Sequence, residues 1–339
     1  MSRRSFAYLV GVACAGLLLP SLPGCSGGNG EPDGLARSEG GLASRTFFAF
    51  DTVVTVRASC SLETLNALEE RCSYFESIFS RTIDDSDIGR VNSARGKAVE
   101  AAPETVDLVS QALRYCEESK GLFDISIGAV SELWDFQEGV VPSATAIQEA
   151  VKHVDYRGIH VECSSIRLDD PQAKLDLGGI AKGYIAEDLC RMLVEAGCTS
   201  GFVNLGGNVK TIGARPDGSP WRVGIKTPDG EADSVLAVVD STGSSVVTSG
   251  LYERQFERDG KRYWHILDPK TGYPVKSRIV SASIVSEASL DADGYTKPLF
   301  MMEPDEALAW IAKKPGVEAL LVCDDGSILQ TGGCKAELV

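Results

Sequence analysis

An α+β fold, with mixed, mostly antiparallel sheets and packed helices, is the architecture this sequence predicts. Three observations lead there. Short alternating or β-branched runs outnumber helical ones. Apolar residues at spacings of three and four mark only a few helices, irregularly placed. No regular β-α alternation and no internal repeat is present, which disfavours a doubly wound sheet.

The elements follow in order. Phe47 to Arg57 (FFAFDTVVTVR) alternates and reads as one strand. Ser61 to Phe79 is amphipathic through Leu62, Leu65, Leu68, Cys72, Phe75 and Phe79. Pro103 to Ser119 opens with Pro-Glu, suited to a first helical turn, and stops at Lys120-Gly121. Ala144 to Val151 is a short helix. Ile166 to Leu168 and Lys174 to Leu177 read as strands, and Gly183 to Ala196 as a helix closed by Gly197. Short strands follow at 202–204, 209–212, 221–226, 234–239, 245–249, 255–258 and 263–267. Ile279 to Val285 and Gly316 to Cys323 have the continuous apolar character of buried strands, with a helix from Asp305 to Lys313 between them.

Composition limits the function. Of 339 residues 43% are apolar and 24% charged, which excludes a disordered chain and a polytopic membrane protein. A net charge of −15 repels a phosphate backbone, so nucleic acid is not an expected partner. Any phosphate-bearing ligand must meet local cations, backbone N–H groups or a metal.

The N-terminus reads as an address. Ser2-Arg3-Arg4-Ser5-Phe6 is basic, Ala7 to Leu19 is apolar but short for a membrane span, and Leu22-Pro23-Gly24-Cys25 follows. The paired arginines resemble a twin-arginine signal, and Leu-x-Gly-Cys resembles a lipoprotein box. The expectation is an export signal over 1–25, a lipid on Cys25, a Gly/Ser-rich tether over 26–44 and one folded domain over 45–339. The protein would then sit in the cell envelope, anchored to a membrane on its extracytoplasmic face. With Cys14 in the signal and Cys25 assigned to lipid, eight of the ten cysteines remain, and an exported chain can oxidise them. Cys323 and Cys334, flanking a hairpin turn at Asp324-Asp325-Gly326, are the best single pair; buried free thiols are the alternative.

Three clusters carry chemistry. In Lys174-Leu175-Asp176-Leu177-Gly178-Gly179-Ile180-Ala181-Lys182-Gly183-Tyr184 a strand ends in an acid, passes paired glycines and enters a helix beside a lysine. Glycines admit a diphosphate to the backbone, a helix N-terminus offers unpaired N–H donors, and Lys182 can neutralise phosphate charge. Such turns also serve tight packing alone. Neither the Walker spacing nor G-x-G-x-x-G is present. In Tyr263-Trp264-His265-Ile266-Leu267-Asp268-Pro269-Lys270-Thr271-Gly272, His265 can move a proton near neutral pH, with Asp268 capping the turn or fixing the ring. The Ser289 to Lys297 stretch places Asp291, Asp293 and Thr296 before a helical segment, a set that suits Mg²⁺ or merely a solvated acidic turn.

Taken together these segments resemble the ApbE-type FAD:protein FMN transferases. The likeness runs from about Ala49 to Met302. It includes Phe50-Asp51-Thr52, the Asp85 to Asn92 segment (DSDIGRVN), Phe123-Asp124-Ile125-Ser126-Ile127-Gly128 and Leu133-Trp134-Asp135-Phe136. Asp176 to Tyr184, Asn204 to Asn208, Thr248-Ser249-Gly250 and His265 to Gly272 complete it in order. The resemblance implies an ApbE-like, T-fold-related architecture. It implies that Phe50, Thr82, Leu122, Phe123, Asp124, Asp176, Lys182, His265 and Ile266 hold FAD. Gly179 (through its carbonyl), Asp293 and Thr296 would hold Mg²⁺, and His265 and Asp293 would be catalytic. The implied partners are FAD and exported or membrane-bound acceptor proteins with a D-G-x-T-type motif, whose threonine takes FMN while AMP leaves.

Departures from the family pattern matter. The family places a threonine four residues after the metal-binding aspartate, where this chain has Lys297, followed by Pro298. A charged lysine cannot ligate Mg²⁺. Either Thr296 substitutes, or Lys297 supplies the cation, or metal binding is impaired. Phe50 replaces the family's Met and Thr82 its frequent Tyr. An FAD pyrophosphatase, or a non-catalytic FAD-binding lipoprotein, would use the same pyrophosphate site, so both stand beside the transferase.

Overall fold

The computed structural model describes residues 37–39, 41–230 and 234–339. The export segment, the lipoprotein box and Cys25 lie outside them. A nine-stranded sheet organises the fold, in the spatial order 37–39, 42–49, 52–58, 201–205, 208–212, 245–250, 279–286, 317–323 and 328–330. Every neighbouring pair in it is antiparallel. This is the α+β architecture expected. The first strands reach into the stretch read as a tether: Arg37–Glu39 pairs with Leu42–Ser44, so folded chain begins before residue 45.

Alternation along the central strands decides what covers each face. In Val317–Cys323, Val317, Ala319 and Leu321 join the main helix-side core, while Leu320 and Val322 face a second one. Burial on both sides explains the continuous apolar run seen in the sequence. The helices Leu62–Phe79, Ala181–Glu195, Ser289–Leu299 and Pro304–Ile311 cover the first face. Val223, Ile225, Ala237 and Val239, from the strands Trp221–Lys226 and Val235–Ser241, cover the second. Each apolar side chain so enclosed contributes about 1.5–3 kcal/mol against exposure, so the sheet is held from both faces.

Four local expectations are corrected. Phe47 to Arg57 is not one strand. Leu42–Ala49 turns back into Thr52–Ala58 through Phe50 and Asp51, at φ of 56° and 55°. Two consecutive left-handed residues give the twist that a two-residue hairpin needs, and no glycine announces it. Lys174 to Leu177 forms only an isolated parallel bridge, Lys174 to Ile127. The acidic 289–297 stretch does not precede a helix but makes most of one, Ser289–Leu299. All eight cysteines after residue 36 are thiols, so the Cys323–Cys334 bond is not formed.

Candidate active site

The site lies at the end of the main sheet where two hairpin turns meet, Phe50-Asp51 and Gly206-Gly207. Gly206 must be a glycine twice over. Its φ is +56°, and a β-carbon there would lie 2.1 Å from Thr52 Oγ1. The Phe50 amide donates to Glu76 Oε1 at 2.8 Å, which ties the first turn to the Leu62–Phe79 helix. Arg254, just beyond the strand Ser245–Gly250, donates from Nη2 to the Asp51 carbonyl at 3.2 Å. Its own carbonyl accepts the His265 amide at 3.1 Å. Arg254 therefore joins the Phe50-Asp51 turn, through its guanidinium, to His265, through its carbonyl.

The Asp176 to Lys182 segment is clamped from elsewhere in the chain. Asn92 Nδ2 donates to the Leu175 carbonyl at 2.9 Å, and the Leu175 amide donates to Asn92 Oδ1 at 2.6 Å. The Asp85 to Asn92 motif is thus a positioning device. Asp87, at the start of helix Asp87–Ser93, is buried under Thr105 Oγ1 (2.6 Å) and the Ala102 amide (2.8 Å), which fixes the helix that carries Asn92. Asp176 accepts from Ser131 Oγ at 2.6 Å and the Gly178 amide at 2.9 Å, and forms an ion pair with Arg81 Nε at 3.1 Å. At Gly179 a β-carbon would lie 3.0 Å from the Phe123 ring and 3.9 Å from Lys297 Cε, so flavin-site and metal-site candidates converge there.

Two helices cross closely beside these glycines. A β-carbon at Gly183 would meet the Ser289 carbonyl oxygen at 2.7 Å, Asp293 Cβ at 2.8 Å and Leu290 Cα at 2.9 Å. Only glycine permits that approach, and it lets the Gly183 amide donate to Asp293 Oδ2 at 2.8 Å. A helix N-terminal donor expected to face phosphate is therefore taken by a carboxylate. The other helix is anchored to the sheet: Ser289 Oγ donates to Asn208 Oδ1 at 2.9 Å, and Ser249 Oγ to Thr296 Oγ1 at 3.1 Å. Those contacts account for the Asn204 to Asn208 and Thr248 to Gly250 motifs.

Charge gathers here despite the acidic chain. Asp293 is fully buried, and Lys297, one helical turn on, donates from Nζ to its Oδ1 at 2.6 Å. Lys182 is half-buried, forms no ion pair within 4.0 Å of a described carboxylate, and has its pKa lowered, first by burial and then by Lys297 and Arg254 against Asp293. His265 is half-buried, and its Nδ1 is enclosed without a hydrogen-bond partner. Enclosure, then Arg254, Lys182 and Lys297, push its pKa down to about 3. The imidazole is neutral at physiological pH, among three cations of which Lys297 pairs with Asp293, Arg254 lies 4.0 Å from Asp51 and Lys182 has no described carboxylate partner.

Other candidates fall out differently. Ile266 is buried beside His265, Phe123 is buried, and Leu122 is half-buried. Asp124 is buried with both oxygens engaged, Oδ1 by Ser126 (amide 2.8 Å, hydroxyl 2.6 Å) and Oδ2 by the Tyr156 amide at 3.1 Å. Burial raises its pKa, and it shapes the Phe123 loop. Thr82 is exposed, its hydroxyl 3.0 Å from Ser80 Oγ. Asp268 caps its turn, accepting from the Lys270 amide at 2.8 Å, and does not hold the His265 ring. Asp291 points away, to Arg114 Nη2 at 2.7 Å and the Tyr115 hydroxyl at 2.5 Å, so it does not support Asp293. Arg81, Glu76 and Arg254 were not singled out from sequence. Arg81 adjoins Thr82 and Arg254 follows Thr-Ser-Gly closely, but an isolated arginine carries no pattern.

The donor set does not fit the implied Mg²⁺. Thr296 is fully buried, and its hydroxyl donates to the Asp293 carbonyl at 2.8 Å while accepting from Ser249. Among the described residues no three His, Cys, Asp or Glu side chains cluster to hold a metal. Asp293 Oδ1 already accepts an ammonium proton. A divalent ion on that oxygen would lie about 4 Å from the ammonium, a repulsion of about 8 kcal/mol at an effective dielectric of about 20.

Comparison with known proteins then settles the family. The model of the ApbE family matches residues 50–321. The chain belongs to the ApbE family. An FAD:protein FMN transferase from Treponema pallidum is 35% identical over 280 residues, covering 76% of each chain. One from Escherichia coli K12 is 28% identical over 285 residues, covering 81% of each. The crystal structure of an ApbE protein from Thermotoga maritima superposes with a TM-score of 0.79 at 31% identity, over 86% of this chain and 97% of that one. The apo flavinyl transferase ApbE of Pseudomonas stutzeri gives 0.76 at 28% identity, over 86% and 95%. The ApbE fold expected from sequence is the one found.

Proposed function

We propose that this ApbE-family enzyme transfers FMN from FAD to a threonine hydroxyl of an acceptor protein, releasing AMP. The observation that supports it most is the gathering of Lys182, Lys297 and Arg254 around the neutral, unpartnered His265, beside Gly178-Gly179 and the Phe123 ring. In a chain of net charge −15 this local gathering of cations, with Lys182 unpaired among the described residues, suits an anionic ligand, and the FAD diphosphate supplies one. Phe50, Phe123, Leu122 and Ile266 supply the apolar surface for the isoalloxazine ring.

The residues then divide the chemistry. Lys182 and Lys297 offset charge on the diphosphate as it develops in transfer. The threonine Oγ bonds to the FMN phosphorus, the phosphoanhydride P–O bond breaks, and AMP departs with its electron pair. His265 takes the hydroxyl proton. Burial is the larger cause of its low pKa and the neighbouring cations the second; a bound diphosphate offsets the cations, which makes it a better base with substrate than without. The resemblance brings Mg²⁺ with it, but Asp293 already holds an ammonium, so no step is assigned to the metal.

The location follows from sequence. The Ser2 to Phe6 start, the apolar Ala7 to Leu19 run and the Leu22 to Cys25 box support export and a lipid on Cys25, with the enzyme on the outer side of its membrane. Acceptors would be exported or membrane-bound proteins with a D-G-x-T-type motif. This chain's own Asp293-Gly294-Tyr295-Thr296 is no substrate, since Thr296 is fully buried in a helix. The test is mass spectrometry of a threonine-bearing acceptor domain after incubation with the protein and FAD. One added FMN phosphoryl group, with AMP released, is expected. Free FMN without an adduct would indicate a pyrophosphatase, and FAD binding with neither product a flavin carrier.

A further inference from the structure

We propose that Lys297 is a built-in cation that takes the place of a divalent metal at Asp293, so that flavin transfer by this chain proceeds without Mg²⁺. The inference rests on the flavin-transfer reading and adds a property of its site. Asp293 and Lys297 lie four residues apart in helix Ser289–Leu299, so their side chains meet on one face. The Asp293 carboxylate is fully buried and its two oxygens are shared out, Oδ2 to the Gly183 amide and Oδ1 to Lys297 Nζ. Lys297 Cε passes 3.9 Å from the β-position of Gly179, which carries the ammonium to the glycine turn. One ammonium proton is spent on Asp293 and two remain for phosphate oxygens. Lys182 stands nearby without a carboxylate of its own, and Arg254 flanks His265. Thr296, the nearest hydroxyl in sequence, is committed to the Asp293 carbonyl and Ser249.

The test uses the full folded chain loaded with FAD. FMN transfer to a threonine-bearing acceptor domain is followed by mass spectrometry with EDTA and with millimolar Mg²⁺, and Mn²⁺ is titrated in with electron paramagnetic resonance as the binding readout. The expected result is a transfer rate that differs less than about twofold between EDTA and Mg²⁺, with no stoichiometric Mn²⁺ site. Lys297→Thr should reverse both, giving one Mn²⁺ site and transfer that EDTA abolishes. Transfer by the native protein that requires Mg²⁺, or one tight Mn²⁺ site in it, would overturn the proposal, and neither measurement depends on a variant that folds. Absence of transfer under every condition would instead refute the transferase reading. The Mn²⁺ titration of the native protein then still decides the role of Lys297.

Discussion

Replacing Gly183 by Ala should damage fold and site together, because one methyl group separates two helices that must touch. The new β-carbon would sit 2.7 Å from the Ser289 carbonyl oxygen and 2.9 Å from Leu290 Cα. Both are backbone atoms, which cannot rotate away. Overpacking of this kind costs about 1–3 kcal/mol. Separating the helices also stretches the Gly183 N–H···Oδ2 bond to a buried carboxylate, worth about 1.5–3 kcal/mol. Against this stands the gain of about 1 kcal/mol from Gly to Ala in a helix. The losses win by about 1.5–5 kcal/mol. Urea unfolding followed by tryptophan fluorescence should show that loss, with the m-value unchanged. FAD affinity should fall as well, because Lys182 and Lys297 ride on the two helices being pushed apart. A variant within 0.5 kcal/mol of native (roughly the scatter of neutral surface changes) with native FAD affinity would refute the claim that helix contact positions the site.

Three other substitutions probe separate links. Lys182→Met should weaken FAD binding by about 10–100-fold in isothermal calorimetry, the value of one charge-assisted contact, while thermal stability holds or rises since no ion pair is lost. Asn92→Ala removes both bonds that pin Leu175, at about 2–3 kcal/mol of stability by chemical denaturation, and should weaken FAD binding although Asn92 contacts only backbone. His265, held down to about 3 in the folded chain and near 6.5 when unfolded, binds a proton in the unfolded state first as pH falls. Its contribution is complete above about pH 6.5 and is lost toward pH 3, at up to about 1.4 kcal/mol per unit. Denaturation at pH 7, 5 and 4 should therefore show a flatter decline for His265→Gln than for the native chain.

Much of this was legible in sequence, and what was not has physical causes. Periodicity located the 62–79, 103–118 and 181–195 helices within a residue or two, because each lays one apolar stripe on the main core. It failed at Phe50-Asp51, where two residues without the usual turn signature occupy left-handed backbone. The Ser289–Leu299 helix was hidden for the opposite reason. Gly294, Pro298 and a run of buried polar residues disguise an element whose helical state is fixed by tertiary contact with Gly183, Asn208 and Ser249. Motifs identified the right segments but not each residue's task. Asn92, Asn204 and Ser249 hold backbone or neighbouring side chains, and Asp124 spends its carboxylate on its own loop. Arg254 and Arg81 reach the site from loops, where no period marks them.

The electrostatics of the site explain why it is built from half-buried lysines rather than a basic surface. An anion such as the FAD diphosphate must approach a chain of net charge −15, and exposed cations would be screened within about 8 Å at physiological salt. Enclosure removes that screening for Lys182, Lys297 and His265, at the cost of desolvating them. The cost is visible in the lowered pKa values of Lys182 and His265. Asp293 lets one of the cations remain charged while buried, and the Gly183 amide stabilises the carboxylate in turn. A ligand carrying two negative charges relieves the strain on every member at once. An acyl or neutral nucleotide analogue would relieve none of it. Affinity should therefore follow the charge of the diphosphate more closely than the size of the ring system, and riboflavin, which keeps the ring and lacks phosphate, should compete poorly with ADP for the apo protein.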